Sequence, residues 1–267
     1  MPELPDVELY RRTLDRHALH RRILRVVVSD ARILSDLAEK DFAARLKGNQ
    51  LERSRRHGKH LLVRLARDGW LVMHFGMTGT LCYVEPADAD VPYDRVRLVF
   101  EGGSLVYVNR RMLGRVGLTD DADAFIATEG LGPDALDPAF DLTTLSAALD
   151  GRREVKAVLM DQSVVAGIGN LYADEILFQA RLHPRAPGRS VGKAKRRSLH
   201  EKIKTVLQTA IDCGAGAEQF VERLPKGWLL PQRHEGGTCP RGHGQLATIK
   251  AAGRTSYYCP RCQPEPA

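Results

Sequence analysis

The chain has 267 residues, which is enough for one large domain or two modest ones with a well-formed core. Its 40 Lys and Arg against 33 Asp and Glu favour an anionic partner, and the clustering of the basic residues favours nucleic acid over membrane. No apolar run could span a bilayer, the N-terminus lacks the basic region of a signal peptide, and five scattered cysteines do not form a disulfide framework. We therefore expect a cytoplasmic protein with no membrane partner.

The N-terminus carries a potential nucleophile. If the initiator methionine is removed, which a small second residue permits, Pro2 presents a free secondary amine beside the carboxylate of Glu3. An α-amine has a lower pKa than a lysine side chain, so more of it is uncharged, and its attack on a sugar carbon gives an electron-withdrawing iminium. The alternative is an ordinary helix start, because Val7, Tyr10 and Leu14 recur at helical spacing.

Residues up to about 120 have strand character after this first helix. Residues 61–65 and 71–75 flank a turn at 67–69, and residues 96–100 and 105–108 flank a second turn at 101–103. These hairpins predict an antiparallel β-sandwich. Lys59 is placed where the strand at 61–65 enters the core, after a basic stretch that contains Arg53, Arg55 and Arg56.

The hydrophobic period becomes helical from about residue 140. Helices are predicted around Leu142–Leu149, over 155–162, over 170–180 and over 199–211, the last ended by Gly214. The turn Gly167-Ile168-Gly169-Asn170 opens the third of these helices. Free backbone N–H groups and the Asn170 amide there predict a phosphate site, although Asn170 is also an ordinary N-cap residue.

The C-terminus contains a metal-binding pattern. The ligand candidates form two groups about fifteen residues apart: Cys239 with His243, and Cys259 with Cys262. This spacing suits one structural Zn²⁺ held by a β-hairpin, with His243 in place of a second cysteine in the first group. A metal-free hairpin with buried thiols is the alternative, but so small a module cannot otherwise bury enough core.

Taken together, these motifs resemble the formamidopyrimidine-DNA glycosylase and endonuclease VIII family of bacterial base-excision repair enzymes. The matching stretches follow one another in the family's order over nearly the whole chain: 2–5, 58–59, 74–79, 161–175, 183–184 and 253–263. The resemblance implies an α+β multidomain fold. Its parts are an N-terminal antiparallel β-sandwich with an N-terminal helix (1–125), a helix-two-turn-helix domain (138–222) and a β-hairpin zinc finger (233–264).

The resemblance also implies roles for individual residues. Pro2 would attack the anomeric carbon of a flipped nucleotide, Glu3 would protonate the sugar ring oxygen, and Lys59 would hold phosphate and assist elimination. The residues expected to bind DNA are Met77, Arg111, Leu113, Lys156, Asn170 and Arg254. Asn170 and Arg254 would clamp phosphates, Lys156 would add charge along the backbone, and the remaining three would fill the vacated stack or face the orphaned base.

Several positions depart from the family pattern. Asp6 replaces the usual glutamate, and Asn109-Arg110-Arg111-Met112-Leu113 stands where the 8-oxoguanine enzymes carry Asp-Pro-Arg-Arg-Phe. The first half of the metal motif is Cys-x3-His, and residues 214–238, where a lesion-capping loop is expected, match poorly. These departures bear on the substrate more than on the reaction.

The resulting prediction is a bifunctional DNA glycosylase and abasic-site lyase, acting as a monomer on double-stranded damaged DNA at the bacterial nucleoid. Oxidised purines of the formamidopyrimidine and 8-oxoguanine type are the favoured substrates, with strand cleavage by β/δ-elimination. The alternatives are oxidised pyrimidines, mainly abasic sites, or a damage-binding protein without turnover. A zinc-finger regulator would leave the Pro2-Glu3 opening unexplained.

Overall fold

A computed structural model describes residues 1–35, 37–216 and 219–265. The chain forms two compact units. The first, called the N-unit, comprises Met1–Pro2 and Asp6–Glu129; the second, the C-unit, comprises Glu3–Pro5 and Gly130–Ala267. Within the described residues, none of the helices combines the length and the apolar character that crossing a membrane would need.

Two four-stranded antiparallel sheets form the N-unit. Sheet A has the strand order β2-β3-β4-β8 and sheet B the order β1-β6-β7-β5. The strand bounds are β1 Arg25–Val28, β2 Leu51–His57, β3 His60–Leu65, β4 Trp70–His74, β5 Gly79–Val84, β6 Asp94–Val99, β7 Ser104–Asn109 and β8 Arg115–Thr119. Alternate residues of both sheets share one buried apolar cluster with Val7, Tyr10 and Leu14 of helix α1 (Leu4–Ala18), which confirms the predicted sandwich and first helix.

Both predicted hairpins are present, joining β3 to β4 and β6 to β7. The basic residues Arg53, Arg55 and Arg56 precede β3, as expected, but they lie within a further strand, β2, that the sequence did not predict. As an edge strand, β2 buries only its end residues Leu51 and His57. It therefore lacks the apolar alternation by which the other strands are recognised.

Helices dominate the C-unit, which ends in a two-stranded hairpin. Helices α2 and α3 belong to the N-unit, and the bounds are α2 Glu39–Leu46, α3 Ala122–Thr128, α4 Leu142–Ala148, α5 Val155–Met160, α6 Asn170–Ala180, α7 Lys193–Asp212, β9 Ala247–Ala251 and β10 Arg254–Tyr258. The predicted bounds of α6 and the predicted stop at Gly214 (φ +65°) are confirmed. Helix α5 ends two residues early, because the Asp161 carboxylate accepts hydrogen bonds from the Ser163 N–H and hydroxyl.

A buried carboxyl group of α6 makes the stability of the C-unit depend on pH. Burial raises the pKa of Glu175 to about 7, while hydrogen bonds from Gln179 Nε2 (2.7 Å) and the Leu230 N–H (2.8 Å) act in the opposite direction. Because this pKa lies above the unfolded value of 4.5, the group's contribution to stability is complete below about pH 4.5 and is lost as the pH rises through about 7.

We expect Glu175→Gln to remove this part of the pH dependence. Unfolding free energies measured by denaturant titration from pH 5 to pH 8 should fall less steeply with pH than in the parent, by no more than about 3 kcal/mol over the range. Glu201→Gln, at an exposed position of α7, is the matched control and should follow the parent. An unchanged slope for Glu175→Gln would contradict the buried-carboxyl account.

Candidate functional site

The carboxylate of Glu3 caps the N-terminus of helix α6. Its Oε2 accepts hydrogen bonds from the N–H groups of Gly169 (2.7 Å) and Tyr172 (3.2 Å), and its Oε1 accepts one from Leu171 (2.8 Å). Glu3 is completely buried. Three backbone donors at the positive end of the helix dipole thus satisfy both oxygens of this buried side chain. The residue after Pro2 is therefore anchored by charge-assisted hydrogen bonds to the start of a helix.

Two glycines make room for this anchor. A Cβ atom at Gly169 would lie 2.5 Å from Glu3 Oε1, and one at Gly167, where φ is +115°, would lie 2.6 Å from Leu4 Cδ1. The Leu4 N–H also donates to the Gly167 carbonyl at 3.0 Å. Gln162 holds the turn in shape, since its amide donates to the Ile168 carbonyl at 2.8 Å and accepts from the Gly167 N–H at 3.0 Å.

This arrangement corrects one sequence-based prediction. The backbone N–H groups at the start of α6 were expected to be free for a phosphate, but those of Gly169, Leu171 and Tyr172 bind Glu3. The motif could not show this, because the partner lies more than 160 residues away in the chain. The side chain of Asn170 is oriented by its Nδ2, which donates to the Thr255 carbonyl at 3.3 Å, while its Oδ1 is enclosed and has no hydrogen-bond partner among the described residues.

Lys59 lies in the two-residue turn between β2 and β3, beside a group of histidines. His57 pairs with His60 across this hairpin, and His60 pairs with His74 across β3 and β4. Burial lowers the pKa of His60 to about 3 and that of His74 to about 4, and the nearby positive charge of Lys59 contributes to both shifts. Both rings are therefore neutral at pH 7, and Lys59 carries the local charge.

Two adjoining loops of the N-unit bring Met77, Arg111 and Leu113 together. The Arg111 N–H donates to Thr78 Oγ1 at 3.3 Å, and a Cβ atom at Gly76 would lie 2.3 Å from the Leu113 carbonyl oxygen. The side chains of Met77 and Leu113 are 40% and 49% exposed, which is unusual for large apolar residues. Three residues expected to contact DNA thus form one exposed surface.

Asn109 fixes the spacing of these two loops, a role that the sequence did not indicate. It is fully buried, and its Nδ2 donates to the Phe75 carbonyl at 3.1 Å and to the Tyr107 hydroxyl at 3.0 Å. That hydroxyl in turn donates to the His74 carbonyl at 2.8 Å. An amide at this position supplies a donor that the family's usual aspartate lacks when ionised.

Lys156 is not positioned as expected. Its ammonium group is completely buried, where it pairs with Asp174 Oδ1 at 2.6 Å and donates to the Ser256 hydroxyl. Burial lowers the pKa of Lys156, and the Asp174 carboxylate opposes that shift. The prediction that Lys156 adds charge along a DNA backbone is therefore wrong for this structure, since a buried and paired ammonium cannot contact phosphate.

Asp174 and Arg233 connect α6 to the strand that carries Arg254, and no sequence motif indicated either residue. Asp174 Oδ2 accepts from Arg233 Nε at 2.8 Å and from the Tyr257 N–H at 3.1 Å. Arg233 Nη2 also donates to the Thr255 carbonyl at 3.0 Å. Arg254 itself is exposed at the first position of β10. The network sets the strand bearing Arg254 beside Asn170.

The four candidate metal ligands converge in the C-unit. Ligand atoms of Cys239, His243, Cys259 and Cys262 all lie within 4.8 Å of one another. The Sγ atoms of Cys239 and Cys262 are 3.7 Å apart, close to the ~3.8 Å edge of a tetrahedron with zinc–sulfur bonds of about 2.3 Å. His243 Nδ1 lies 3.0 Å from Cys262 Sγ. The donor set could therefore hold a tetrahedral metal ion, and His243 fills the position left open by the missing second cysteine.

Comparisons with known proteins agree with this organisation. Residues 1–116 match the family model of the formamidopyrimidine-DNA glycosylase N-terminal domain, and residues 131–222 match that of the formamidopyrimidine-DNA glycosylase H2TH domain. Curated relatives include formamidopyrimidine-DNA glycosylases from Stutzerimonas stutzeri, 36% identical over 98% of this chain and 100% of the relative, and from Moorella thermoacetica, 37% identical over 98% and 92%.

Solved structures give the same result. Lactococcus lactis Fpg (MutM) in complex with DNA containing N7-benzyl-Fapy-dG superposes with a TM-score of 0.89 at 26% identity, covering 99% of this chain and 100% of that one. MutM in complex with DNA containing carbocyclic 8-oxo-G superposes with a TM-score of 0.89 at 27% identity, with the same coverage.

The fold and the matches define an enzyme of the DNA glycosylase class that also has abasic-site lyase activity. Within that class, the chain belongs to the formamidopyrimidine-DNA glycosylase family. The resemblance inferred from the sequence motifs and the predicted fold class are thereby confirmed.

Proposed function

We propose that the protein excises oxidised purines from double-stranded DNA through a Schiff base at Pro2 and then cleaves the strand by β/δ-elimination. The observation that carries this proposal is the anchored N-terminus, in which Glu3, the residue next to Pro2, is hydrogen-bonded to the start of α6. The damaged bases named for the similar structures, Fapy-dG and 8-oxo-G derivatives, support oxidised purines as the substrate class.

In the proposed reaction, the Pro2 nitrogen attacks the anomeric carbon, the bond to the damaged base breaks, and the base leaves with a proton. The proton released from the Pro2 amine leaves with the base, and the ring oxygen takes up a proton from water as the sugar ring opens to an iminium ion. The positive charge of the iminium draws electrons from the C2′–H bond, whose proton passes to solvent, and so permits elimination of the 3′ phosphate. Lys59 would hold phosphate and assist the elimination. Glu3 would keep Pro2 in place and balance the iminium charge.

We assign phosphate contacts to Asn170 and Arg254, because the Asp174–Arg233 network sets the strand bearing Arg254 beside Asn170. The space left in the base stack by the extruded nucleotide would be occupied by Met77, Arg111 and Leu113. Unstacking the nucleotide costs a few kcal/mol, which the contacts of these three side chains would offset. The proposed domains are 1–125, 138–222 and 233–264. The protein would act as a monomer at the nucleoid.

The resident metal that we propose is one structural Zn²⁺, held by Cys239, His243, Cys259 and Cys262. When bound, it supplies folding energy to a hairpin that has little apolar core of its own. The cysteines pack against Phe178 of α6 and Leu229 in one buried apolar cluster. The metal-binding hairpin is therefore packed on the helix whose N-terminus binds the Glu3 carboxylate. The module would therefore position Arg254 for DNA.

We expect chelator-washed protein to retain one zinc per chain by elemental analysis. Cys259→Ala should lose the metal and weaken duplex binding by far more than it lowers the melting temperature of the remaining structure. Cys82→Ala, a cysteine on β5 outside the cluster, is the matched control and should keep both metal and binding. A metal-free protein that still binds and cleaves DNA would contradict this assignment.

The departures around Arg111 predict the lesion preference. Leu113 offers apolar area but cannot stack as a phenylalanine does, so the opposite strand is held less rigidly. We expect formamidopyrimidines and abasic sites to be processed, with 8-oxoguanine excised slowly. Leu113→Phe should sharpen the preference for the opposite base, and Arg111→Ala should impair excision from duplex more than from single strands. Rapid excision of 8-oxoguanine with a steep preference for cytosine would contradict this prediction.

The direct test of the function is borohydride trapping on a panel of duplexes with formamidopyrimidine, 8-oxoguanine, an oxidised pyrimidine or an abasic site. Borohydride reduces the iminium to a stable amine, so a trapped complex reports the covalent step and the accepted lesion together. Trapping on purine lesions supports the proposal, whereas trapping only on oxidised pyrimidines would overturn the substrate class.

A further inference from the structure

The turn between β9 and β10 determines how Arg254 enters its strand. Only Ala252 and Gly253 separate Ala251, the last residue of β9, from Arg254, the first residue of β10, and these two strand ends pair with each other. The φ angles of Ala252 and Gly253 are +50° and +69°. Positive φ at both central residues is typical of the type I′ turn. The conformation of two residues therefore sets the direction of Arg254.

Ala252 is an unusual residue for its position in this turn. The left-handed conformation strains a residue that carries a Cβ atom, and type I′ turns favour glycine, asparagine or aspartate there. Alanine has no polar side-chain group to compensate. Its N–H lies outside the strand pairing and donates to Glu154 Oε2 at 2.7 Å. Because hydrogen bonds to a carboxylate are stronger than neutral ones, Glu154 supplies stabilisation that the sequence of the turn lacks.

Glu154 is itself held in place by the segment before the third predicted C-unit helix pair. Its backbone pairs with Pro187, and the N–H of the next residue, Val155, donates to the Ala186 carbonyl at 2.8 Å. Arg185 Nε donates to Glu154 Oε1 at 3.2 Å, which leaves Oε2 for Ala252. The Arg185 side chain is 59% exposed, so this ion pair contributes little energy and mainly orients the carboxylate.

The other contacts of the hairpin restrain β10 beyond Arg254. Asn170 and Arg233 donate to the Thr255 carbonyl, and Asp174 accepts from the Tyr257 N–H. Within the described part of the chain, the side-chain hydrogen bond to the turn itself comes from Glu154 alone. The residue before Arg254 and the residues after it are thus fixed by different groups.

We propose that Glu154 is a positioning residue for Arg254, which it acts on by holding the Ala252-Gly253 turn in its left-handed conformation. The inference rests on the proposed function, in which Arg254 binds a phosphate of the damaged strand. It adds a residue before α5 to the groups that shape the DNA-binding site.

The test measures binding of the full-length protein to a duplex with a tetrahydrofuran abasic analogue by fluorescence anisotropy. Glu154→Ala should raise the Kd about tenfold, the lower end of what a hydrogen bond to a charged group contributes. It should also reduce the slope of log K against log salt by about 0.9, as expected for one lost phosphate contact. Removal of a carboxylate by itself reduces repulsion of DNA. The matched control Glu201→Ala, at an exposed position of α7, should therefore bind at least as tightly as the parent.

Two further variants separate positioning from a general effect on the fold. Arg254→Ala should lose as much affinity as Glu154→Ala, and the double variant should lose no more, because Glu154 acts through Arg254. Ala252→Gly in the Glu154→Ala background should restore binding to within about twofold of the parent, because glycine adopts the left-handed conformation without strain.

Each outcome decides the proposal. Parent-like binding by Glu154→Ala, additive losses with Arg254→Ala, or no recovery with Ala252→Gly would overturn it. Loss of zinc from Glu154→Ala would also overturn it, since Glu154 would then hold the hairpin together and not orient Arg254. Arg254→Ala that binds as the parent does would overturn the phosphate assignment of the proposed function together with this inference. Weakened Arg254→Ala beside parent-like Glu154→Ala would overturn the inference alone.

Discussion

Replacing Glu3 with glutamine is expected to slow base excision and cleavage of a preformed abasic site alike, each by about 10²-fold, because Pro2 would no longer be held in position. The reason is geometric. The carboxylate accepts three backbone hydrogen bonds at the start of α6. In glutamine one of the two oxygens is replaced by an NH₂ group, which would face a backbone N–H and cannot accept its hydrogen bond. Single-turnover rates for both steps, measured on a lesion duplex and on an abasic duplex, check this prediction.

Gly169→Ala is the informative partner of this variant. It keeps the Glu3 carboxylate but places a Cβ atom 2.5 Å from Glu3 Oε1, so the side chain must move. If Glu3 acts by positioning Pro2, Gly169→Ala should reproduce the losses of Glu3→Gln in both steps. A loss confined to base excision in Glu3→Gln, with normal Gly169→Ala, would instead restore the proton-donor role inferred from the sequence.

Pro2→Gly is expected to reduce borohydride trapping by at least about 10²-fold while duplex binding persists. Glycine still presents an α-amine, but its imine can lose a proton and become neutral, whereas the iminium of a secondary amine keeps its charge. Glycine also frees the backbone that the pyrrolidine ring restrains. Gel trapping on an abasic duplex, with fluorescence anisotropy for binding, separates the two effects.

Processing of the N-terminus is the control for this prediction. Intact mass shows whether the initiator methionine is removed, and a chain that keeps Met1 has no free Pro2 amine. Such a form should bind damaged DNA without trapping, as a damage-binding protein would. If Pro2→Gly traps as well as the processed parent, a lysine is the nucleophile and the N-terminal motif has been misinterpreted.

Sequence periodicity was sufficient to predict the secondary structure wherever a segment buries one regular face. Helix α6, the part of α7 over residues 199–211, and the hairpins of β3–β4 and β6–β7 follow directly from apolar spacing and turn residues. The first six residues of α7, from Lys193, have no apolar spacing and were not predicted. Edge strand β2 was not predicted, because it buries no regular face and its polar residues resemble a solvated basic stretch. The end of α5 was also misjudged, because a side chain of Asp161 competes with the backbone for hydrogen bonds.

The candidate site could be predicted only where its residues are close in the sequence or belong to a familiar motif. The cysteines and the loop residues Met77, Arg111 and Leu113 fall in this category. Lys156 was assigned to DNA from the family resemblance, and only the fold reveals Asp174 as its buried partner. The link between Glu3 and the Gly169 N–H joins residues that are 166 positions apart in the chain, and no local sequence pattern indicates it.

The most direct test of the central claim is to locate the covalent bond itself. Processed protein is trapped with borohydride on an abasic duplex, digested with protease and nuclease, and sequenced by tandem mass spectrometry. A sugar adduct on the nitrogen of Pro2, at the new N-terminus, is the result expected here. An adduct on Lys59, or on any other lysine, with an unmodified N-terminal peptide would contradict it.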